Sequence, residues 1–199
     1  MKNHKFDYSL KINLVGRPFV GKASLITRFV DNTFLDKPFD ICIELKIKIF
    51  HHEDLLIKTL IYKQHFSERF YYTDVPTNYF KGTDGIIITY DISNKESFEI
   101  IKKMIEDIEI KTSPNVLKIL VGNKCDKDSK REVSKEEGKQ LADEFNMNFF
   151  ETSAKDDINV KEAFEILIKE IINNKKNLNS ENKELIKDDN KDKKNKCNK

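Results

Sequence analysis

Between Ile41 and Ile49 apolar and polar residues alternate without a break. Ile41, Ile43, Leu45, Ile47 and Ile49 fall on one side, and Cys42, Glu44, Lys46 and Lys48 on the other. A period of two sends successive side chains to opposite faces of a strand, so this segment is predicted as a half-buried strand. The polar run His51-His52-Glu53-Asp54 turns the chain, and Leu55 to Tyr62 returns as the second arm of a hairpin. Leu10 to Val15 also alternates and meets a glycine, which predicts a strand entering a loop. Two later runs differ in kind: Gly85 to Tyr90 and Val116 to Val121 are almost continuously apolar. Strands of that composition are covered on both faces, as in a parallel sheet flanked by helices. Helical spacing marks Lys22–Asp31, Lys95–Lys111 (Phe98, Ile101, Ile105, Ile108), Ser134–Phe145 and Val160–Asn174. Ser134 and Glu137 form a capping box at the start of the third. Met147 to Phe150 is a last short strand. The expected fold class is α/β: a doubly wound, six-stranded, mostly parallel sheet with one antiparallel edge strand and helices on both faces.

Composition adds a boundary. Of 199 residues, 38% are hydrophobic and 35% charged, enough for one core under a densely charged surface. The net charge of +2 is unevenly spread, for Lys175 to Lys199 carries nine Lys against five acidic residues. The chain is therefore divided into an N-terminal extension (1–9), a globular domain (10–174) and a Lys/Asn-rich tail (175–199) expected to be disordered. Cys42, Cys125 and Cys197 are far apart and form no C-x-x-C, so neither a zinc site nor a disulfide framework is expected. The four histidines are dispersed or in turns and are read as surface residues. No apolar run approaches the roughly 18 residues of a membrane span, the start shows no signal-peptide pattern, and Lys2 stands where myristoylation needs Gly. No nucleic-acid partner is expected.

Candidate chemistry sits at strand ends. Gly16-Arg17-Pro18-Phe19-Val20-Gly21-Lys22 follows a strand and opens a helix, the context a phosphate-binding loop requires. Backbone N–H groups at the helix start, including those of Ala23 and Ser24, face an anion there, and the Lys22 ammonium reaches the β- and γ-phosphates. Three departures stand out: Ala23 offers no oxygen to Mg²⁺, Pro18 has no N–H, and Phe19 sets a large side chain where glycine usually permits close approach. After the next buried strand comes Asn123-Lys124-Cys125-Asp126. A carboxylate at Asp126 accepts the N1 and N2 hydrogens of guanine, a donor pair adenine lacks. Asn123 ties loops together and Lys124 lies along the ring.

These motifs, with Glu151-Thr152-Ser153-Ala154-Lys155, Glu68-Arg69-Phe70 and the stretch Tyr79 to Asp91, resemble the Rab group of Ras-like small GTPases over about Leu10 to Asn174. The resemblance implies the P-loop small-GTPase fold, GTP and GDP as ligands, Rab-type effector or regulator proteins as partners, and a part in vesicle-mediated transport. It implies a cytoplasmic protein that sits peripherally on endomembranes. It places Ser153, Ala154 and Lys155 over the base, with the Ala154 N–H on guanine O6, and Phe34 against the guanine edge; read by itself, Phe34 is a core aromatic.

The resemblance breaks around the metal and the attacking water. Besides Ala23, the first-switch threonine is replaced by Ile41, beside Asp40. In the second switch Lys63, Gln64, His65, Phe66 and Ser67 fill the slots of Asp-Thr-Ala-Gly-Gln, so Lys63 stands for the metal-facing Asp and Ser67 for the water-positioning Gln. The substitutions imply slow or lost hydrolysis and an altered Mg²⁺ site. Lys63 either takes over part of the cation's role or points to solvent. Two further readings stay open: a nucleotide-free interaction module, and an active GTPase with a remodelled shell. In the tail, Cys197 is a lipidation candidate outside any C-a-a-X box, and the lysines from Lys191 onward offer electrostatic contact with anionic lipid.

Overall fold

The computed structural model describes residues 6–34, 43–64 and 77–196, with side chains at all of these except 43–44, 64 and 179–196. The switch-region expectations at Asp40, Ile41, His65, Phe66, Ser67 and Glu68 to Phe70, and the cysteines Cys42 and Cys197, lie outside the described residues.

Six strands form one sheet in the order β2-β3-β1-β4-β5-β6: β1 (Tyr8–Val15), β2 (Ile43–His52), β3 (Leu55–Gln64), β4 (Gly85–Asp91), β5 (Leu117–Asn123) and β6 (Asn148–Thr152). Only the β2–β3 pair is antiparallel. The helices are α1 (Lys22–Asp31), α2 (Lys95–Glu99), α3 (Ile101–Lys111), α4 (Lys135–Glu144) and α5 (Val160–Lys196). The expected α/β class and single antiparallel edge are those found.

β4 shows why the continuously apolar run was diagnostic. Ile87 faces one core, formed with Leu10, Ile12 and Leu14 of β1, Leu25 and Phe29 of α1 and Phe164 of α5. Ile86, Ile88 and Tyr90 face the other, with Met104, Ile105 and Ile108 of α3 and Ala142 of α4. All seven residues of the strand are buried, because both faces carry helices. The carboxyl ends of β1, β4 and β5 therefore open along one edge, framed by helices, where ligands bind in sheets of this kind.

Three expectations need correction. The alternation in β2 gave the right period, but the apolar side is the open one: Leu45, Ile47 and Ile49 are 46%, 47% and 53% exposed. Lys46 and Lys48 occupy the inner side. Lys46 pairs with Asp31, and Lys48 donates to the Phe29 carbonyl with its ammonium 4.1 Å from the centre of the Phe29 ring. Long lysine stems cover apolar surface while their heads reach polar groups, so an edge strand beside α1 accepts them inward. The helix expected over Lys95–Lys111 is interrupted at Ile100. There α2, capped by Asn94 Oδ1 on the Ser97 N–H (2.8 Å), turns Phe98 edge-on to Tyr90, and α3 then aims Ile101, Met104, Ile105 and Ile108 at the sheet. Finally, α5 does not stop at Asn174 but runs as helical backbone to Lys196. Burial ends at Ile172; the following stretch is rich in Lys and Asn and contains neither Gly nor Pro to break the helix.

The predicted capping box is present. Ser134 Oγ accepts the Glu137 N–H (3.1 Å) and Glu137 Oε2 accepts the Ser134 N–H (2.8 Å). The Lys95 ammonium, and then Ser134, hold the Glu137 carboxyl down at about 2. We expect Ser134→Ala to lower stability by about 1 kcal/mol in urea unfolding at neutral pH. The Glu137 contribution is complete above the ordinary glutamate value of about 4.3 and fades as pH falls toward 2. The gap between wild type and variant should therefore narrow in acid without closing, because Ser134 Oγ keeps the Glu137 N–H whatever the state of the carboxyl; a gap that stays constant down to pH 2 would remove the Ser134 hydroxyl's bond to the carboxylate as a contributor.

Candidate functional site

The loop between β1 and α1 is built around two glycines. Gly16, at φ +145°, lies so close to β4 that an added Cβ would sit 2.2 Å from the Thr89 carbonyl oxygen. Gly21, at φ +100°, is the N-cap of α1, and a Cβ there would sit 2.3 Å from Asn123 Nδ2. No side chain caps α1, so its first N–H groups are left for an anion. Lys22, 5% exposed, curls back over the loop and donates to the Gly16 (2.7 Å) and Arg17 (2.6 Å) carbonyls. Val20, Ala23 and Ser24 are buried beneath it. Phe19 does not fill the loop as its size suggested. It takes φ +65° and points outward, 77% exposed. The cost of a bulky residue here is left-handed backbone, not occlusion.

The segments Asn123-Lys124-Cys125-Asp126 and Glu151-Thr152-Ser153-Ala154-Lys155 lie side by side. Asn123, 1% exposed, donates from Nδ2 to the Val20 carbonyl (2.9 Å) and accepts the Thr152 hydroxyl at Oδ1 (3.1 Å), joining the phosphate loop, β5 and β6. Ser153, fully buried, donates to Asp126 Oδ1 (2.6 Å) and itself accepts the Asp156 N–H (3.0 Å). Asp126 Oδ2 has no partner among the described residues. Lys124, at φ +66°, donates to the Phe19 carbonyl (2.7 Å) and pairs with Asp91 Oδ2 (2.6 Å). Ala154 is buried and Lys155 exposed. Phe34 is half-buried and packs against the core shared by α1 and α5.

Several residues that build this site were missed in the sequence. Arg28 donates from Nε to the Ala154 carbonyl (2.8 Å) and from a terminal nitrogen to that of Lys155 (3.1 Å), clamping the second motif to α1. Its signal was an arginine within an otherwise apolar helical stripe. Asp91 ends β4 at the ligand edge, which strand position alone could have flagged. Arg131 grips both carboxylate oxygens of Glu151, at 2.5 and 3.1 Å, and so fixes β6 to the segment after Asp126. Burial, with Glu151 and Asp126 nearby, pushes the Cys125 thiol up, which makes it a packing residue and not a reactive one.

The donor set does not fit a divalent cation in the way the sequence motif would require. Ala23 presents a methyl group where an oxygen ligand belongs. Lys63 sets an ammonium where an acidic group belongs, and it is 3% exposed, so it does not point to solvent. No group of three His, Cys, Asp or Glu among the described residues could hold a metal. Among those residues no helix is long and apolar enough to cross a membrane.

Comparison with known proteins agrees with this arrangement. The Ras family profile matches residues 11–173. The Ras-related protein RIC1 of Oryza sativa is 41% identical over 172 residues, covering 86% of this chain and 84% of the relative. The Ras-related protein Rab-3A of Homo sapiens is 40% identical over 167 residues, 83% and 75% of the two chains. The GTP-binding protein ypt2 of Schizosaccharomyces pombe is 38% identical over 183 residues, 92% and 90%. With the sheet order, the loop between β1 and α1 and the joined base motifs, these matches establish that the chain belongs to the Ras family, as a Rab-like member of the Ras superfamily of small GTPases.

Proposed function

We propose that this protein binds GDP and GTP, reads guanine through Asp126, and hydrolyses GTP slowly or not at all. The observation that carries the reading is the joined pocket. Ser153 holds one oxygen of Asp126 and leaves Oδ2 to accept from the base, while Asn123 locks that pocket to the phosphate loop. Guanine presents N1–H and N2–H to a carboxylate; adenine presents an acceptor at N1, which would face the anion and cost affinity. The Ala154 N–H meets guanine O6, Lys124 lies along one ring face, and Phe34 and Lys155 flank the base. The phosphates take the N–H groups of Gly16, Val20, Gly21, Lys22, Ala23 and Ser24 and the Lys22 ammonium, which exchanges its loop carbonyls for them.

Slow hydrolysis follows from the residues around the γ-phosphate. Ser67 is too short to orient a water from the glutamine slot, Ile41 has no hydroxyl, and Ala23 and Lys63 remove two of the groups that hold Mg²⁺ in this family. Membership in the Rab-like group supports a role in vesicle-mediated transport through effector and regulator proteins. It also supports a cytoplasmic protein resting on endomembranes, with the tail lysines and Cys197 as its contact.

Denaturing the purified protein and chromatographing the supernatant should release close to one equivalent of guanine nucleotide. Protein that elutes without nucleotide, and takes up none when offered GDP, would refute the reading. Single-turnover assays of GTP-loaded protein should show no faster decay than its regulator-free relatives; rapid turnover would reject slow hydrolysis while leaving binding intact.

A further inference from the structure

Phe19 holds an unfavourable backbone conformation in the loop between β1 and α1. Its φ of +65° lies in the left-handed region, where glycine sits freely and a residue with a Cβ does not. Its side chain is 77% exposed, and no other aromatic among the described residues is left so open. Strain of this kind persists where the surrounding structure enforces it, and it gathers at ligand sites. Here the enforcing groups are consecutive side chains of the segment that ends β5. Asn123 Nδ2 donates to the Val20 carbonyl (2.9 Å), and Lys124 Nζ donates to the Phe19 carbonyl (2.7 Å). Asp91 Oδ2 holds that ammonium in turn, at 2.6 Å. The Phe19 backbone is therefore pinned at the seam between the phosphate loop and the segment that carries Asp126. A nucleotide laid across that seam, with its base toward Asp126 and its phosphates toward Gly21 and Lys22, brings its sugar past Phe19. The C–H surface of a ribose is apolar and suits an aromatic face, and burying it against the ring removes apolar area of both from water. Resting on the nucleotide reading above, we infer that Phe19 is a ligand-binding residue whose ring closes over the ribose of the bound nucleotide and slows its release.

Release of tritiated GDP from the full-length protein into excess unlabelled GDP reads this contact without placing a dye on the sugar. Phe19→Ala should release GDP about tenfold faster than wild type, the equivalent of ~1.4 kcal/mol. Phe19→Tyr, which keeps the ring, should release it at the wild-type rate. Phe19→Gly, whose backbone suits the turn, should release it as fast as Phe19→Ala, and it carries the test if the alanine variant does not fold. Equilibrium competition then locates the contact. Phe19→Ala should weaken GDP by about tenfold, and by less than about threefold a guanine diphosphate analogue with an open ether chain in place of the sugar ring. An equal loss for both ligands overturns the proposal, because the effect would then lie in the shape of the phosphate loop. Folded Phe19→Ala or Phe19→Gly that releases GDP at the wild-type rate also overturns it and leaves the nucleotide reading standing. Wild-type protein that binds no GDP overturns the nucleotide reading, and this inference with it.

Discussion

Asp126→Asn should weaken guanine nucleotide binding by about 10- to 100-fold. The carboxylate is a charge-assisted acceptor for two N–H groups, and hydrogen bonds to a charged partner contribute about 1.5–3 kcal/mol. An asparagine keeps the shape, and its carbonyl can still accept, but its NH₂ confronts the donors of guanine. The Ser153 hydroxyl that now donates to Oδ1 at 2.6 Å can also donate to an amide oxygen, so the fold should survive. Preference for guanine over adenine should shrink in parallel, which competition between GDP and ADP measures. If selectivity stayed unchanged while the variant remained folded, the base would have to be read elsewhere.

Asn123→Ala should cost about 2–5 kcal/mol of stability, a large share of the 5–15 kcal/mol a domain possesses. The side chain is 1% exposed and makes two bonds, one to the Val20 carbonyl and one from the Thr152 hydroxyl. Alanine leaves both groups buried and unmatched, at about 1–3 kcal/mol each. Thr152→Val removes only the hydroxyl and should cost about 1 kcal/mol. The two changes share a bond, so the double variant should lose less than the sum of the singles. Urea midpoints with unchanged slope read this directly. Strict additivity would show that Asn123 acts alone and does not join β6 to the loop.

How far the sequence foretold these features depends on whether their cause is local. The β4 run and the capping box at Ser134 are decided by neighbours in the chain, and both were legible. So was the place of the two motifs that follow β5 and β6, each being a contiguous stretch at a strand end. The clamp of Arg28 on Ala154 spans 126 positions, and nothing in either segment announces the other. The inward face of β2 failed for a different reason. Alternation gives the period of a strand but not the side on which a helix lies, and α1 drew in lysines through the Phe29 carbonyl and Asp31. The break at Ile100 and the length of α5 were hidden too. One is decided by Phe98 against Tyr90; in the other, no Gly or Pro stops the helix after core contacts end.

Arg28 gives α1 a second duty. Its first turn carries the phosphate loop, and near its far end Arg28 holds the backbone of Ala154 and Lys155. The stretch from Lys22 to Arg28, about 9 Å of helix, sets the spacing between the loop after β1 and the segment after β6, and on the proposed reading it acts as a ruler between the two ends of one ligand. Free guanine or a lone phosphate meets only one mark on it. A ribose of the right span lets the second end arrive already tethered, at the high local concentration that turns two weak grips into one tight one.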